Sequence, residues 1–156
     1  MRALWGKPTR ADQTVIRGRT VEVDLALLAD AATIDAAGKL NILGVFDRLT
    51  SASLPAQHPQ MVLILRFTAS LQEMGRHHVE IALRDPSGGE VMRIDGDMQL
   101  GGGSGARGGA IKVPHILHLD GLVFPKAGLY AFDVAVDDEH LVSVPLAVMG
   151  PTGAEA

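Results

Sequence analysis

Phe124-Pro125-Lys126-Ala127-Gly128-Leu129-Tyr130-Ala131-Phe132 is the stretch that decides the fold. A tyrosine just past a glycine turn and two residues before a core position matches the tyrosine corner of immunoglobulin-like sandwiches. There the hydroxyl bonds back to the backbone and pins the crossover between sheets. Phe132 stands where antibody domains place a cysteine. Beyond it, Tyr130, Phe132, Val134 and Val136 share one face, and Asp133, Ala135 and Asp137 share the other. That period of two is a half-buried strand. Asp138-Glu139 is read as the turn, and Val142, Val144, Leu146 and Val148 line a partner strand, giving a hairpin. Pro145 has no N–H to donate, which predicts an edge position or a bulge there.

The same alternation runs upstream. Met61, Leu63, Leu65 and Phe67 alternate with neighbours that turn polar only at Arg66 and Thr68. Val79, Ile81 and Leu83 alternate with His78, Glu80 and Arg84, and Asp85-Pro86-Ser87-Gly88-Gly89 has the composition of a tight turn. Met92, Ile94, Met98 and Leu100 predict a return strand interrupted at Asp95-Gly96, and Ile111, Val113, Leu117 and Leu119 predict another. Leu40, Ile42, Gly44 and Phe46 form an earlier strand. Val21, Val23, Leu25 and Leu27 alternate with Glu22 and Asp24, which outweighs the helix preference of the Ala and Leu that follow. The expected fold is all-β, an immunoglobulin-like β-sandwich of about eight strands.

Composition agrees with one such domain. The 156 residues are 47% hydrophobic and 21% charged, ordinary globular values. There is no cysteine, which excludes disulfides, thiolate metal sites and a cysteine nucleophile, and fits a reducing compartment. No secretory core follows the early basic residues, and Leu25–Ala32 is far shorter than the roughly 20 residues of a membrane helix. The chain is read as cytoplasmic. Residues 1–19 carry Arg2, Lys7, Arg10, Arg17 and Arg19 against Asp12, a charge of +4. The remainder sets nine bases against seventeen acids, a charge of −8. An acidic body argues against nucleic acid as a partner. The expected organisation is a basic arm over residues 1–19, a sandwich over 20–149 and a tail over 150–156.

Several stretches together resemble a bacterial family of small uncharacterised all-β proteins. They are Leu27-Leu28-Ala29-Asp30-Ala31-Ala32, Gly38-Lys39-Leu40-Asn41-Ile42-Leu43-Gly44, His58-Pro59, Gly121-Leu122-Val123-Phe124-Pro125 and Val136-Asp137 with Val144-Pro145-Leu146. The resemblance spans Val23 to Val148 and lies in the combination of motifs. It implies a small soluble domain and carries no activity, cofactor or catalytic residue. Members often start near the position of Val23, so residues 1–22 are read as a private extension or a misplaced start.

No chemical signature stands out beside this. Gly103, Gly105 and Gly108 spell a formal G-x-G-x-x-G, but a dinucleotide site needs a helix after it and a strand follows here. Residues 101–109 are read as a flexible connection. His77 and His78 point to opposite faces of a strand, as do His115 and His118, so no metal is expected. His115 falls on the apolar face, and is either moved out by a bulge at Pro114 or buried with a backbone partner. Asp24 and Asp30 are about 20 Å apart along a strand, too far for a catalytic pair, and Asp30 and Asp35 are expected to brace a turn. Asp47 completes that acidic series. Exposed aromatics for stacking sugars or RNA bases are scarce, with Trp5 in the arm the one candidate.

The function expected from all this is a non-enzymatic interaction or assembly module that associates with itself, without cofactor, nucleic acid or membrane. The candidate interaction residues are Trp5, Val15 and Ile16, in an arm too poor in apolar residues to form a core alone. A domain that binds a small ligand or carbohydrate in its end loops is the alternative. An enzyme with residues converging from separate loops is the third.

Overall fold

The computed structural model describes residues 21–101 and 110–151. In chain order the strands are β1 (Val21–Ile34), β2 (Leu40–Phe46), β3 (Arg48–Thr50), β4 (Ala56–His58), β5 (Val62–Ser70), β6 (Gly75–Arg84), β7 (Glu90–Leu100), β8 (Ala110–His118), β9 (Leu122–Phe124), β10 (Gly128–Val136) and β11 (Glu139–Met149). Among the described residues, eight strands have seven residues or more, the number read from the alternation, and β3, β4 and β9 add three-residue pieces. A single 3-10 turn, Leu71–Glu73, joins β5 to β6. One sheet has the order β2-β1-β5-β8, the other β3-β11-β10-β6-β7, and β4 pairs with β9. Pairing is antiparallel except where β3 lies parallel to β11. The protein is an immunoglobulin-like β-sandwich.

Its core follows the predicted faces. Leu63, Leu65 and Phe67 of β5 meet Leu83 of β6, Phe132 and Val134 of β10, and Leu146 and Val148 of β11, all nearly or fully buried. The tyrosine corner is formed. Tyr130 is fully buried, and its hydroxyl donates to the Lys126 carbonyl at 2.8 Å and accepts from the Lys126 N–H at 3.3 Å. Its ring stands edge-on to Phe124 at 5.0 Å. Gly128 enters the strand at φ +139°, where an added Cβ would meet Pro86 at 2.5 Å.

Two hairpins close with the same chemistry. Asp35 accepts from the N–H groups of Ala37 and Lys39, both at 2.9 Å, while Gly38 takes φ +81°. Asp85 accepts from Ser87 and Gly89 at 2.8 and 2.9 Å, while Gly88 takes φ +87°. Each carboxylate satisfies amides that the turn leaves free, and each glycine supplies the positive φ.

Four details differ from the sequence reading. A register shift between Val23 and Leu25 turns β1 over, so Val21 and Val23 face the core while Leu25 and Leu27 face away from it. An extra residue in one strand does this, and simple alternation cannot reveal it. β7 is unbroken, since Asp95 and Gly96 pair with Glu80 and Val79. The last hairpin turns at Asp137-Asp138, with φ of 50° and 67°, one residue earlier than read. Pro145 neither bulges nor lies on a formal edge strand. It falls where β3, which pairs with Ala147–Met149 alone, does not reach, so its missing N–H breaks no ladder.

Leu25 and Leu27 join a second apolar layer. Ala29, Val62 and Ile64 are fully buried there, with Leu40, Ile42 and Ile116 packed round them. The near-continuous apolar run of β5 is that of a strand covered on both faces.

Candidate functional site

Trp5, Val15 and Ile16 lie outside the described residues, as do residues 102–109 of the glycine stretch. Three clusters within the sandwich bring chemistry-bearing side chains together.

The first ties β6 to the last hairpin. His77 shares the core face of β6, at the end of the sandwich, and is 9% exposed. Its Nδ1 lies 2.6 Å from Asp137 Oδ2 and its Nε2 2.7 Å from the Glu73 carbonyl. A carbonyl can only accept, so Nε2 donates, and the carboxylate accepts a hydrogen bond from Nδ1–H. Asp137 also accepts from the His78 N–H at 2.9 Å. Burial alone would lower the His77 pKa, but the bonds to Asp137 and Glu73 outweigh it and hold it above 6.5. Burial likewise opposes, and the His77 bond reverses, the shift at Asp137, whose pKa lies below 3.8. With both nitrogens donating, this imidazolium has no lone pair for a substrate proton. It is a latch between segments 60 residues apart.

The second cluster, on the outer face of β10 and β11, resembles a hydrolytic relay in composition only. Ser143 Oγ donates to Asp133 Oδ1 at 2.6 Å, and His140 Nε2 lies 2.9 Å from the same Oγ. In a nucleophile relay the histidine sits between serine and acid and takes the serine proton. Here the serine donates its proton to the acid directly, and serine, not histidine, stands in the middle.

The third cluster covers the outer face of β6 and β7. His78 lies 3.5 Å from Asp97, 3.4 Å from Glu80 and 3.8 Å from Asp95. The Asp97 bond, with the neighbouring carboxylates, raises its pKa. Arg93 binds Glu90 and Glu80, both at 3.0 Å. Among the described residues, no three His, Asp or Glu groups are placed to hold a metal ion.

The remaining candidates resolve individually. The β5–β8 ladder runs unbroken through Pro114, so no bulge displaces His115. Its ring sits edge-on to Phe67 at 5.6 Å rather than on a backbone partner, and the residue is exposed, not buried. Desolvation by that apolar contact lowers its pKa. The β1 bulge turns Asp24 outward to Arg66 at 2.8 Å and Lys112 at 3.0 Å, and the Arg66 bond leads in lowering its pKa. Asp35 braces its turn as expected, but Asp30 does not. Its carboxylate lies over Gly44, which takes φ +71°, and a Cβ at Gly44 would overlap it.

Surface hydrophobicity is the signal that alternation missed. Ile34, Leu43 and Val45 of the first hairpin are 44%, 70% and 62% exposed. Val45 also lines a cleft of about 310 Å³ with Leu28, Phe46, Asp47 and Val144. A second cleft, of about 490 Å³, lies along Leu54, Gly128, Val148 and Met149, with Arg48 its one charged residue. Neither gathers the convergent polar groups that orient a small ligand.

Four of the stretches that carried the family resemblance meet in pairs. Asp30 lies over Gly44, Ala31 pairs with Leu43, and the His58-Pro59 segment pairs through β4 with Leu122 and Phe124 of β9. The fold is similar to part of the Pseudomonas fluorescens alkylpurine DNA glycosylase AlkC bound to DNA containing an abasic site analog. That likeness has 13% identity and a TM-score of 0.44, covering 86% of this chain and 32% of that one. This chain therefore spans about a third of the glycosylase's length. It is also similar to an immunoglobulin-like protein from Pseudomonas aeruginosa, with 11% identity and a TM-score of 0.40, covering 83% of this chain and 97% of that one. No curated protein matches the sequence. Residues 24–149 match one family across nearly the whole sandwich, and the chain belongs to that family, described as "Family of unknown function (DUF6941)".

Proposed function

We propose that this domain is a non-enzymatic interaction module that associates with copies of itself. The observation that carries the reading is the set of exposed apolar side chains on the first hairpin, Ile34, Leu43 and Val45. Apolar side chains gathered on one element favour contact with another surface over water. The charge split adds a second component. Residues 1–19 carry +4 and the remainder −8, so the arm of one copy is attracted to the body of its neighbour. Trp5, Val15 and Ile16 supply the apolar part of that contact.

The test is solution mass by sedimentation for the full-length chain and for a full-length Trp5→Ala/Val15→Asn/Ile16→Asn variant, at low and high salt. The reading predicts association that weakens in the variant and weakens further with salt, since exposed charges are screened over about 8–10 Å. A monomeric wild type whose Trp5 emission is that of a fully solvated indole refutes it.

A further inference from the structure

The two main sheets end in four edge strands, and three of them are protected. β8 carries Lys112 and Pro114, β7 carries Glu90, Arg93, Asp95 and Asp97, and β3 has only three residues. Charges, proline and short length are the devices that keep sheet edges from pairing with other chains. β2 has none of them. Leu40-Asn41-Ile42-Leu43-Gly44-Val45-Phe46 contains no charge and no proline, and its side away from β1 has no partner strand among the described residues. Every second residue of such an edge points its N–H and C=O outward without a ladder.

We infer that β2 is a homotypic docking edge, on which a second copy of this chain pairs antiparallel, β2 against β2, about a two-fold axis. This rests on the reading that the chain self-associates and names the surface that does it. Three features fit a second copy. A two-fold interface must be self-complementary, and an antiparallel pair sets the Lys39 end of each strand beside the Asp47 end of the other. The most exposed large apolar side chain in the described structure, Leu43, falls on the axis against Leu43 of the second copy, where each removes the other from water. Gly44 kinks the strand at φ +71°, yet β1 keeps one register on both sides of it, and a second β2 carries the same kink. Pairing two seven-residue strands buries less than the roughly 1,200–2,000 Å² of a stable interface, so the contact is weak alone and the arm reinforces it.

The test compares full-length wild type, Leu43→Lys, the arm variant above, Lys39→Asp, Asp47→Lys and the Lys39→Asp/Asp47→Lys double variant. Each is checked for native far-UV circular dichroism and then sedimented over a dilution series. Leu43→Lys places two ammonium groups near the axis and is expected to weaken association about tenfold or more. Each single charge change is expected to weaken it roughly two- to five-fold, as for exposed ion pairs, and the double swap to restore it. A folded Leu43→Lys that associates like wild type overturns the inference, as does a double swap no better than its singles. If the arm variant dissociates while Leu43→Lys does not, this edge is wrong and self-association through the arm stands. If Leu43→Lys dissociates while the arm variant does not, the edge stands and the arm's role fails. A wild type that is monomeric throughout overturns both.

Discussion

Replacing Tyr130 by Phe removes one oxygen from the centre of the corner and leaves the ring in place. The hydroxyl makes one good hydrogen bond, 2.8 Å to the Lys126 carbonyl, and accepts a longer one, 3.3 Å, from the Lys126 N–H. A single intramolecular bond is worth about 1 kcal/mol net, and a partner left unsatisfied costs about 1–3 kcal/mol. Lys126 is exposed, so its backbone groups partly recover water, and the lower part of that range applies. The expected loss is about 1–2 kcal/mol. In a domain of this size that lowers the melting temperature by roughly 3–8 °C. The assay is urea unfolding followed by far-UV circular dichroism, with an unchanged m-value showing that the same surface is exposed. Tyr130→Ala is the control. It also removes the ring packed on Phe124 and should cost about 3–5 kcal/mol, as for a buried aromatic. A Tyr130→Phe protein as stable as wild type refutes the corner as a stabilising lock, whatever the geometry.

His77 should titrate above 6.5 in an NMR titration, and a value at or below 6.5 contradicts the latch. Its raised pKa stabilises the fold fully below the unfolded value and loses that contribution as pH rises through the folded one. The lowered pKa of Asp137 contributes above about 3.8 and is lost as pH falls through its folded value. The stability difference between wild type and His77→Gln is therefore greatest between those limits and shrinks on the alkaline side. Gly44→Ala should destabilise by about 1–2 kcal/mol from its positive φ, with an added clash on Asp30. Asp30→Ala in the same chain should relieve the clash and leave the backbone part, and strictly additive losses would contradict that contact. Removing four residues from 102–109 should change stability by less than about 1 kcal/mol, and an unfolded product would show the segment to be structural.

Much of the fold was legible because period-two alternation and turn chemistry are local. The Gly128–Phe132 stretch named the corner, and the Asp35 and Asp85 turns announced their hairpins. The reversal of β1 was hidden, because Val21 to Leu27 looks regular and the extra residue appears only in its pairing with Val23↔Phe67 and Leu25↔Arg66. The latch was hidden for a different reason. His77 and Asp137 meet only once β6 and β10 pair, and nothing in either sequence neighbourhood marks the other. The vulnerable edge of β2 follows from sheet order, which places one uncharged strand outermost. The arm residues Trp5, Val15 and Ile16 remain a reading of composition and charge.

Sedimentation equilibrium of the full-length chain over a range of concentrations, at low and high salt, bears most directly on self-association. The weight-average mass should climb toward twice the 16.4 kDa of one chain as concentration rises, and fall back as salt is added. A mass fixed at 16.4 kDa at every concentration and salt level would contradict it.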